Sequence, residues 1–94
     1  MTWDVRLTPP AMRDLARLPE SAAAAVLEFM ADALARSPQR VGKPLRDDLD
    51  GYLGARRGVY RVVYRIDRRP RIVWVVRIDH RADVYRPRLR PYAA

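Results

Sequence analysis

Two consecutive segments with two-residue alternation, residues 59–66 and 71–79, place the strongest constraint on how this chain folds. Apolar side chains at every second position are typical of half-buried strands. The short connection at 67–70 predicts a hairpin between them. We expect one face to lie in the core, with Tyr60, Val62, Tyr64, Ile72, Trp74 and Val76. The opposite face then carries Arg61, Arg65 and Arg77. The sheet is therefore expected to expose one arginine-rich surface.

The N-terminal third predicts a strand and a helical hairpin. Residues 3–7 alternate as a short strand. Thr8 is a good N-cap, and the two prolines after it suit the first turn of a helix. Pro19 ends this helix, because the residue before a proline avoids the helical region. A second helix is expected over residues 20–36, where apolar residues recur at helical spacing.

The middle of the chain predicts a loop followed by a weaker strand. Residues 37–51 contain two prolines, two glycines and an acidic cluster, so we expect a loop with at most one helical turn. Residues 52–57 alternate weakly, and residues 83–85 are expected to add a short edge strand.

This order of elements predicts an α+β fold with its helices packed on one face of a mostly antiparallel sheet of three to four strands. A chain of 94 residues has room for one modest core, and a hydrophobic content of 49% is enough to fold it. We expect a single domain over residues 1–86, with an irregular basic tail at 87–94.

The composition excludes several classes of site. Cysteine is absent, so disulfides, thiolate zinc sites and cysteine nucleophiles are excluded. His80 is the single histidine, which excludes a histidine-rich metal site, and no cofactor or metal is expected. No apolar run approaches the length of a membrane span, and the N-terminus lacks the pattern of a signal peptide. A soluble, cytoplasmic protein without membrane association is expected.

The charge distribution indicates a polyanionic partner. The formal net charge is +8, and residues 37–94 hold fifteen basic residues against six acidic ones. Apart from Lys43 every basic residue is an arginine. The planar guanidinium group binds phosphate through two parallel hydrogen bonds and keeps its proton at working pH. The C-terminal half is therefore the predicted surface for such a partner.

One set of basic and aromatic residues suits chemistry on a phosphodiester. The set consists of Arg56, Arg57, Arg61, Arg65, Arg77, His80, Arg81 and Tyr85. Phosphoryl transfer needs positive charge around the phosphorus atom, one group that takes a proton and one that gives a proton. Arginine supplies the charge, and His80 or Tyr85 is a candidate for proton transfer.

These residues carry a resemblance to a known family. Residues 43–46, 56–64 and 79–85, together with Tyr52 and the Leu-Pro-Glu at 18–20, resemble RelE-type toxins of the RelE/ParE toxin–antitoxin superfamily. The resemblance implies a compact α+β fold and a ribosome-dependent endonuclease that cleaves mRNA in the ribosomal A site. It also implies a cognate antitoxin of RelB or Phd type, with the ribosome and mRNA as further partners.

The resemblance also implies roles for individual residues. Arg61 matches the arginine that stabilises the scissile phosphate, Arg81 a second phosphate-binding arginine, and Tyr85 a C-terminal aromatic that transfers a proton or stacks on a base. Some members carry two catalytic lysines where residues 52–57 have none. Arg56 and Arg57 can keep the charge there, but arginine does not release its proton. His80 becomes the candidate acid or base, since imidazole titrates near neutral pH.

Five further basic residues are assigned to RNA binding, namely Arg56, Arg57, Arg65, Arg77 and Lys43. In the implied reaction the ribose 2′-OH attacks the adjacent phosphate without a metal, which restricts cleavage to RNA. Two other hypotheses about the function stay open at this point. The first is a ParE-like inhibitor of DNA gyrase, which would not need Arg61, Arg81 and Tyr85. The second is a non-catalytic basic module that binds nucleic acid or a protein.

Overall fold

Five strands form one mixed sheet in the computed structural model, which describes residues 2–80. The strands are β1 (Asp4–Leu7), β2 (Lys43–Pro44), β3 (Leu53–Arg57), β4 (Tyr60–Asp67) and β5 (Ile72–His80). Their order across the sheet is β1-β5-β4-β3-β2. β1 runs parallel to β5, and the other neighbours are antiparallel. The predicted α+β class is confirmed, and the sheet has one to two strands more than expected.

The helices follow the local signals of the sequence. They are α1 (Pro9–Arg17), α2 (Glu20–Phe29), which continues as a π-helical turn (Met30–Leu34), and α3 (Pro38–Val41). Thr8 caps α1 as predicted, because its hydroxyl accepts a hydrogen bond of 3.4 Å from the amide of Ala11. Pro19 separates α1 from α2. The predicted loop at 37–51 instead holds α3, β2 and a 3-10 turn, Asp47–Leu49.

The main core lies between the helices and one face of the sheet. The helical side contributes Ala11, Val26, Phe29, Met30 and Leu34. The sheet contributes Ala55, Val62, Tyr64, Val73, Val75 and Ile78. The prediction that Val62 and Tyr64 of β4 face the core is therefore confirmed.

A β-bulge in β5 overturns the predicted core face of that strand. Val63 pairs with Arg77 and Tyr64 pairs with Val75, so Val76 has no partner in the β4 register. The extra residue shifts the alternation by one position. Before the bulge, Val73 and Val75 face the helices, and after it Ile78 does. The prediction of Ile72, Trp74 and Val76 as helix-facing residues is wrong, because unbroken alternation was assumed.

The sheet face opposite the helices, here called the open face, is covered in part. Val63 and Val76 are buried there under Leu45, Leu49 and Tyr52, beside Trp74. These side chains form a second, smaller apolar cluster, which the segment at 45–52 covers. The rest of the open face carries the charged residues described below.

Several predictions fall on residues outside the described range. They concern the short strand at 83–85, the tail at 87–94, and the site residues Arg81 and Tyr85. The domain boundary at residue 86 stays a prediction as well. Within residues 2–80, no helix has both the length and the apolar content needed to cross a bilayer.

Candidate active site

Arg61 and Asp79 lie directly opposite each other on β4 and β5, on the open face. The Nη2 atom of Arg61 is 3.6 Å from Oδ2 of Asp79. Only 15% of the Arg61 side chain and 3% of the Asp79 side chain are exposed. The predicted face of Arg61 is correct, but the prediction that its side chain reaches into solvent is wrong. The ion pair with Asp79 and the packing against β3 explain the difference.

Gly54 makes room for the stem of Arg61. A Cβ atom at Gly54 would lie 3.2 Å from Cδ of Arg61 and 3.2 Å from Cδ2 of Leu45. Because glycine has no side chain there, the aliphatic part of Arg61 can lie against the backbone of β3. The packing limits where the guanidinium group can go.

The guanidinium group of Arg61 is incompletely hydrogen-bonded within residues 2–80. Its Nε and Nη2 atoms are buried and have no hydrogen-bond partner among residues 2–80. The contact with Asp79 is an ion pair that is too long for a hydrogen bond. Buried donors without acceptors cost free energy. A phosphate oxygen is an acceptor that a guanidinium group suits, and it can reach the exposed 15% of this side chain.

Arg77 was predicted to be exposed, but it is hydrogen-bonded to α1. Its Nε and Nη2 atoms donate hydrogen bonds of 2.7 and 3.2 Å to Asp14. The backbone amide of Ile78 donates to the same carboxylate at 2.9 Å. The Nη2 atom of Arg77 also lies 3.9 Å from Oδ1 of Asp79. The prediction of an exposed Arg77 is wrong, since α1 covers this edge of β5; its role in RNA binding stays a prediction.

Exposed cations surround Arg61 on the open face. Arg56 lies opposite Arg61 on β3, and Lys43 lies opposite Gly54 on β2. Arg65 is exposed on β4, with its guanidinium carbon 5.8 Å from the centre of the Trp74 ring. These side chains give the open face the positive charge that the sequence predicted.

Arg6 is a member of this surface that the sequence analysis missed. It lies opposite Trp74 in the parallel pairing of β1 and β5, with its guanidinium carbon 5.9 Å from the Trp74 ring. Its Nε atom donates a 2.9 Å hydrogen bond to Asp4. Alternation in β1 separates Arg6 from Val5 and Leu7 and was a usable signal. The parallel pairing that brings it to Trp74 was not visible in the sequence.

Arg57 and His80 belong to the other side of the sheet. Both pair with Tyr60 in the register, so they share the helix-facing side. The guanidinium carbon of Arg57 lies 4.6 Å from the centre of the Phe29 ring. The imidazole of His80, an exposed residue, meets the Tyr60 ring edge-to-face at 5.4 Å. The register therefore separates these two residues from Arg61.

A cleft at the end of β5 connects the two sides. Its volume is about 450 Å³, and it lies between the C-terminal end of α1 and the last residues of the strand. Asp79 and Arg77 line it from the open face, and Tyr60 and His80 line it from the other. His80 therefore lines this cleft and follows Asp79, the ion-pair partner of Arg61, in the sequence. Among residues 2–80, no three potential metal ligands lie together.

The family follows from a match over most of the chain. The family model described as the ParE toxin of the type II toxin–antitoxin system, parDE, matches residues 5–85. The chain belongs to the RelE/ParE superfamily of type II toxins. The predicted resemblance is confirmed.

Individual relatives in Mycobacterium tuberculosis are similar over nearly their whole length. The toxin RelG is 54% identical over 86 residues, which cover 92% of this chain and 99% of RelG. The toxin RelE is 50% identical over 84 residues, which cover 89% of this chain and 87% of that toxin. A chain in the crystal structure of the toxin–antitoxin complex RelBE2 superposes with a TM-score of 0.82 at 51% identity, covering 86% of this chain and all of that one.

Proposed function

We propose that this toxin is an endoribonuclease that cleaves mRNA on the ribosome and thereby stops translation. The observation that carries the proposal is the Arg61 side chain, which lies 3.6 Å from Asp79, keeps 15% of its surface exposed, and is surrounded by the cations of the open face. The identity of 50–54% to toxins named RelE and RelG supports the same function.

In the proposed reaction the ribose 2′-OH attacks the adjacent phosphorus, and the bond to the 5′-oxygen of the next nucleotide breaks. A base takes the 2′-OH proton, and an acid gives a proton to the leaving 5′-oxygen. The products are a 2′,3′-cyclic phosphate and a 5′-OH. Arg61 and Arg81 stabilise the charge that develops on the phosphorane oxygens. His80 and Tyr85 are the candidates for the two proton transfers.

The exposed cations of the open face are assigned to the RNA backbone. Arg56, Arg65 and Lys43 surround Arg61 at register positions of three neighbouring strands. Contacts from such residues to phosphates orient a nucleic acid without reading its sequence. These cations therefore contribute to the affinity for mRNA, and the residues around Arg61 carry out the cleavage.

A cognate antitoxin is the second proposed partner. The related chain that superposes on this one was solved in a toxin–antitoxin complex. We assign to this toxin an antitoxin of RelB or Phd type with an acidic segment that suits the basic open face. Complementary charge of this kind speeds association, so the association rate should fall as salt is raised.

Inhibition of DNA gyrase is the alternative, and one observation favours it: the matching family model is that of the ParE toxins. Measurements in cells distinguish the two functions. Expression of a translation inhibitor stops amino-acid incorporation first, whereas a gyrase poison stops thymidine incorporation first.

The decisive experiment uses purified toxin with mRNA-programmed ribosomes. We expect products ending in a 2′,3′-cyclic phosphate and a 5′-OH. A matched mRNA with one 2′-deoxynucleotide at the cleavage position should stay intact, because it lacks the attacking hydroxyl. The His80→Gln variant tests proton transfer, since it should lower the maximal cleavage rate while the toxin still binds the ribosome. Intact mRNA on ribosomes, together with early loss of DNA synthesis, would reject the proposal in favour of gyrase.

A further inference from the structure

Four charged side chains of alternating sign form a row across the end of the sheet. Asp14 on α1 binds Arg77 at 2.7 Å, and Nη2 of Arg77 lies 3.9 Å from Oδ1 of Asp79. The other carboxylate oxygen of Asp79, Oδ2, lies 3.6 Å from Nη2 of Arg61. The row therefore begins on a helix, crosses β5 and ends at Arg61 on β4.

Asp14 is the fixed end of this row. It is buried, and its carboxylate also accepts the amide of Ile78, a backbone group of β5. The start of α1 is held to the same strand, because Thr8 donates from its hydroxyl to the carbonyl oxygens of Val75 and Val76 at the bulge. With both its start and Asp14 attached to β5, α1 cannot shift along the strand without breaking several hydrogen bonds.

Asp79 lies within ion-pair distance of two arginines, 3.6 Å from Arg61 and 3.9 Å from Arg77. The side chain of Arg77 makes its short contacts with Asp14 and stays 3.9 Å from Asp79. Without the negative charge of Asp14, Arg77 would lose its carboxylate on α1, and the attraction of Asp79 at 3.9 Å would draw it closer. A bidentate pair of that kind is the strongest contact the two groups can make. It would compete with Arg61 for the carboxylate.

We propose that Asp14 is a positioning residue for Arg61 that acts through Arg77 and Asp79. The catalytic part of this inference rests on the proposed endoribonuclease function. By holding Arg77 away from Asp79, Asp14 leaves Oδ2 of Asp79 to fix the Arg61 guanidinium group. Such fixing matters because a misplacement of about 1 Å at a reacting group costs up to roughly 100-fold in rate.

The variant Asp14→Asn tests the proposal with little change in shape. The amide oxygen can still accept the Ile78 amide, but residue 14 no longer presents a negative charge to Arg77. Asp32→Asn is the matched control, because Asp32 pairs with Arg36 at 2.9 Å on an exposed part of the chain. In single-turnover cleavage on programmed ribosomes, Asp14→Asn should lower the maximal rate roughly tenfold, within the range of positioning effects. The toxin concentration for half-maximal rate should stay the same.

A double-mutant cycle separates positioning from a general structural effect. If Asp14 acts through Arg61, Asp14→Asn should have no further effect on cleavage once Arg61→Ala has been introduced. Equal rate losses in both backgrounds would overturn the proposal. So would an unchanged rate for Asp14→Asn in the otherwise wild-type toxin.

A second measurement does not depend on cleavage. The Nε–Hε signal of Arg61 in a nitrogen-15 NMR spectrum reports how firmly its guanidinium group is held. Asp14→Asn should broaden or shift this signal, although Asp14 does not touch Arg61, and Asp32→Asn should leave it unchanged. If the wild-type toxin fails to cut mRNA, the proposed function falls, and this signal alone decides the positioning role. An Arg61 signal identical in both variants would overturn it.

Discussion

The hydroxyl of Tyr64 on β4 donates a 2.6 Å hydrogen bond to the carbonyl oxygen of Pro38, the first residue of α3. Tyr64 is fully buried, so this bond ties the centre of the sheet to the segment that follows the helices. Tyr64→Phe leaves the carbonyl oxygen without this donor. We expect a loss of about 1–2 kcal/mol in the free energy of unfolding, measured by urea denaturation. A variant as stable as the wild type would show that the bond contributes nothing.

The same tyrosine predicts a loss of stability at alkaline pH. Burial raises the pKa of Tyr64 to about 12, and a hydrogen bond with the backbone at Gly42 opposes this in part. In the unfolded chain a tyrosine titrates near pH ~10. Between these values the unfolded state binds fewer protons than the folded state, so stability falls as the pH rises.

The loss in this range should reach about 2–3 kcal/mol, and below pH ~10 Tyr64 should contribute no slope. Denaturation at stepwise pH values measures it, with Tyr64→Phe as the control. The comparison with the variant removes the contributions of the other four tyrosines and the one lysine of the chain. An equal slope in the variant would assign the alkaline effect to other groups.

Thr8 is predicted to stabilise two elements at once. Its hydroxyl accepts the amide of Ala11 at the start of α1 and lies 3.1 Å from the carbonyl oxygen of Val76 in the bulge. Thr8→Val keeps the shape and removes both bonds, so we expect a loss of about 1–2 kcal/mol by thermal or urea unfolding. Thr8→Ser retains the hydroxyl and should recover most of it. Similar losses in the two variants would point to the methyl group instead.

These residues also show where reading the sequence succeeds and where it stops. Thr8 as a cap and Pro19 as a boundary were predicted correctly, because the signals act on neighbouring residues. The bulge at Val76 was missed, because an extra residue in a strand of β-branched side chains leaves no local mark. Its effect is large, since it reverses which side chains of the preceding part of β5 face the helices.

The candidate site was predictable in composition but not in contacts. The arginines of β4 were assigned to the correct face by alternation alone. The burial of Arg61 was not predicted, because it depends on Asp79 and Gly54, which lie on neighbouring strands. The bond between Asp14 and Arg77 joins residues 63 positions apart. No pattern within one element predicts such a pair.

The last prediction concerns Arg61→Ala, for which structure and sequence disagree about stability. An exposed strand arginine would be replaced at a cost within ~0.5 kcal/mol. Arg61 is mostly buried, and its loss removes a cation 3.6 Å from the buried carboxylate of Asp79. We therefore expect destabilisation by about 1–3 kcal/mol. Arg65→Ala is the matched control for stability, because Arg65 lies exposed on the same strand.

Cleavage should respond more strongly than stability. Removing a preorganised donor to the developing phosphorane charge typically costs about 10²–10³ in rate. Single-turnover cleavage on programmed ribosomes, run well below the melting temperature of the variant, keeps unfolding out of the measurement. Arg61→Lys retains the charge but not the planar fork, so it should recover stability more than rate. Arg36→Ala, at an exposed helix end, should leave both unchanged. Near-wild-type cleavage by a folded Arg61→Ala variant would show that the open face is not the active site.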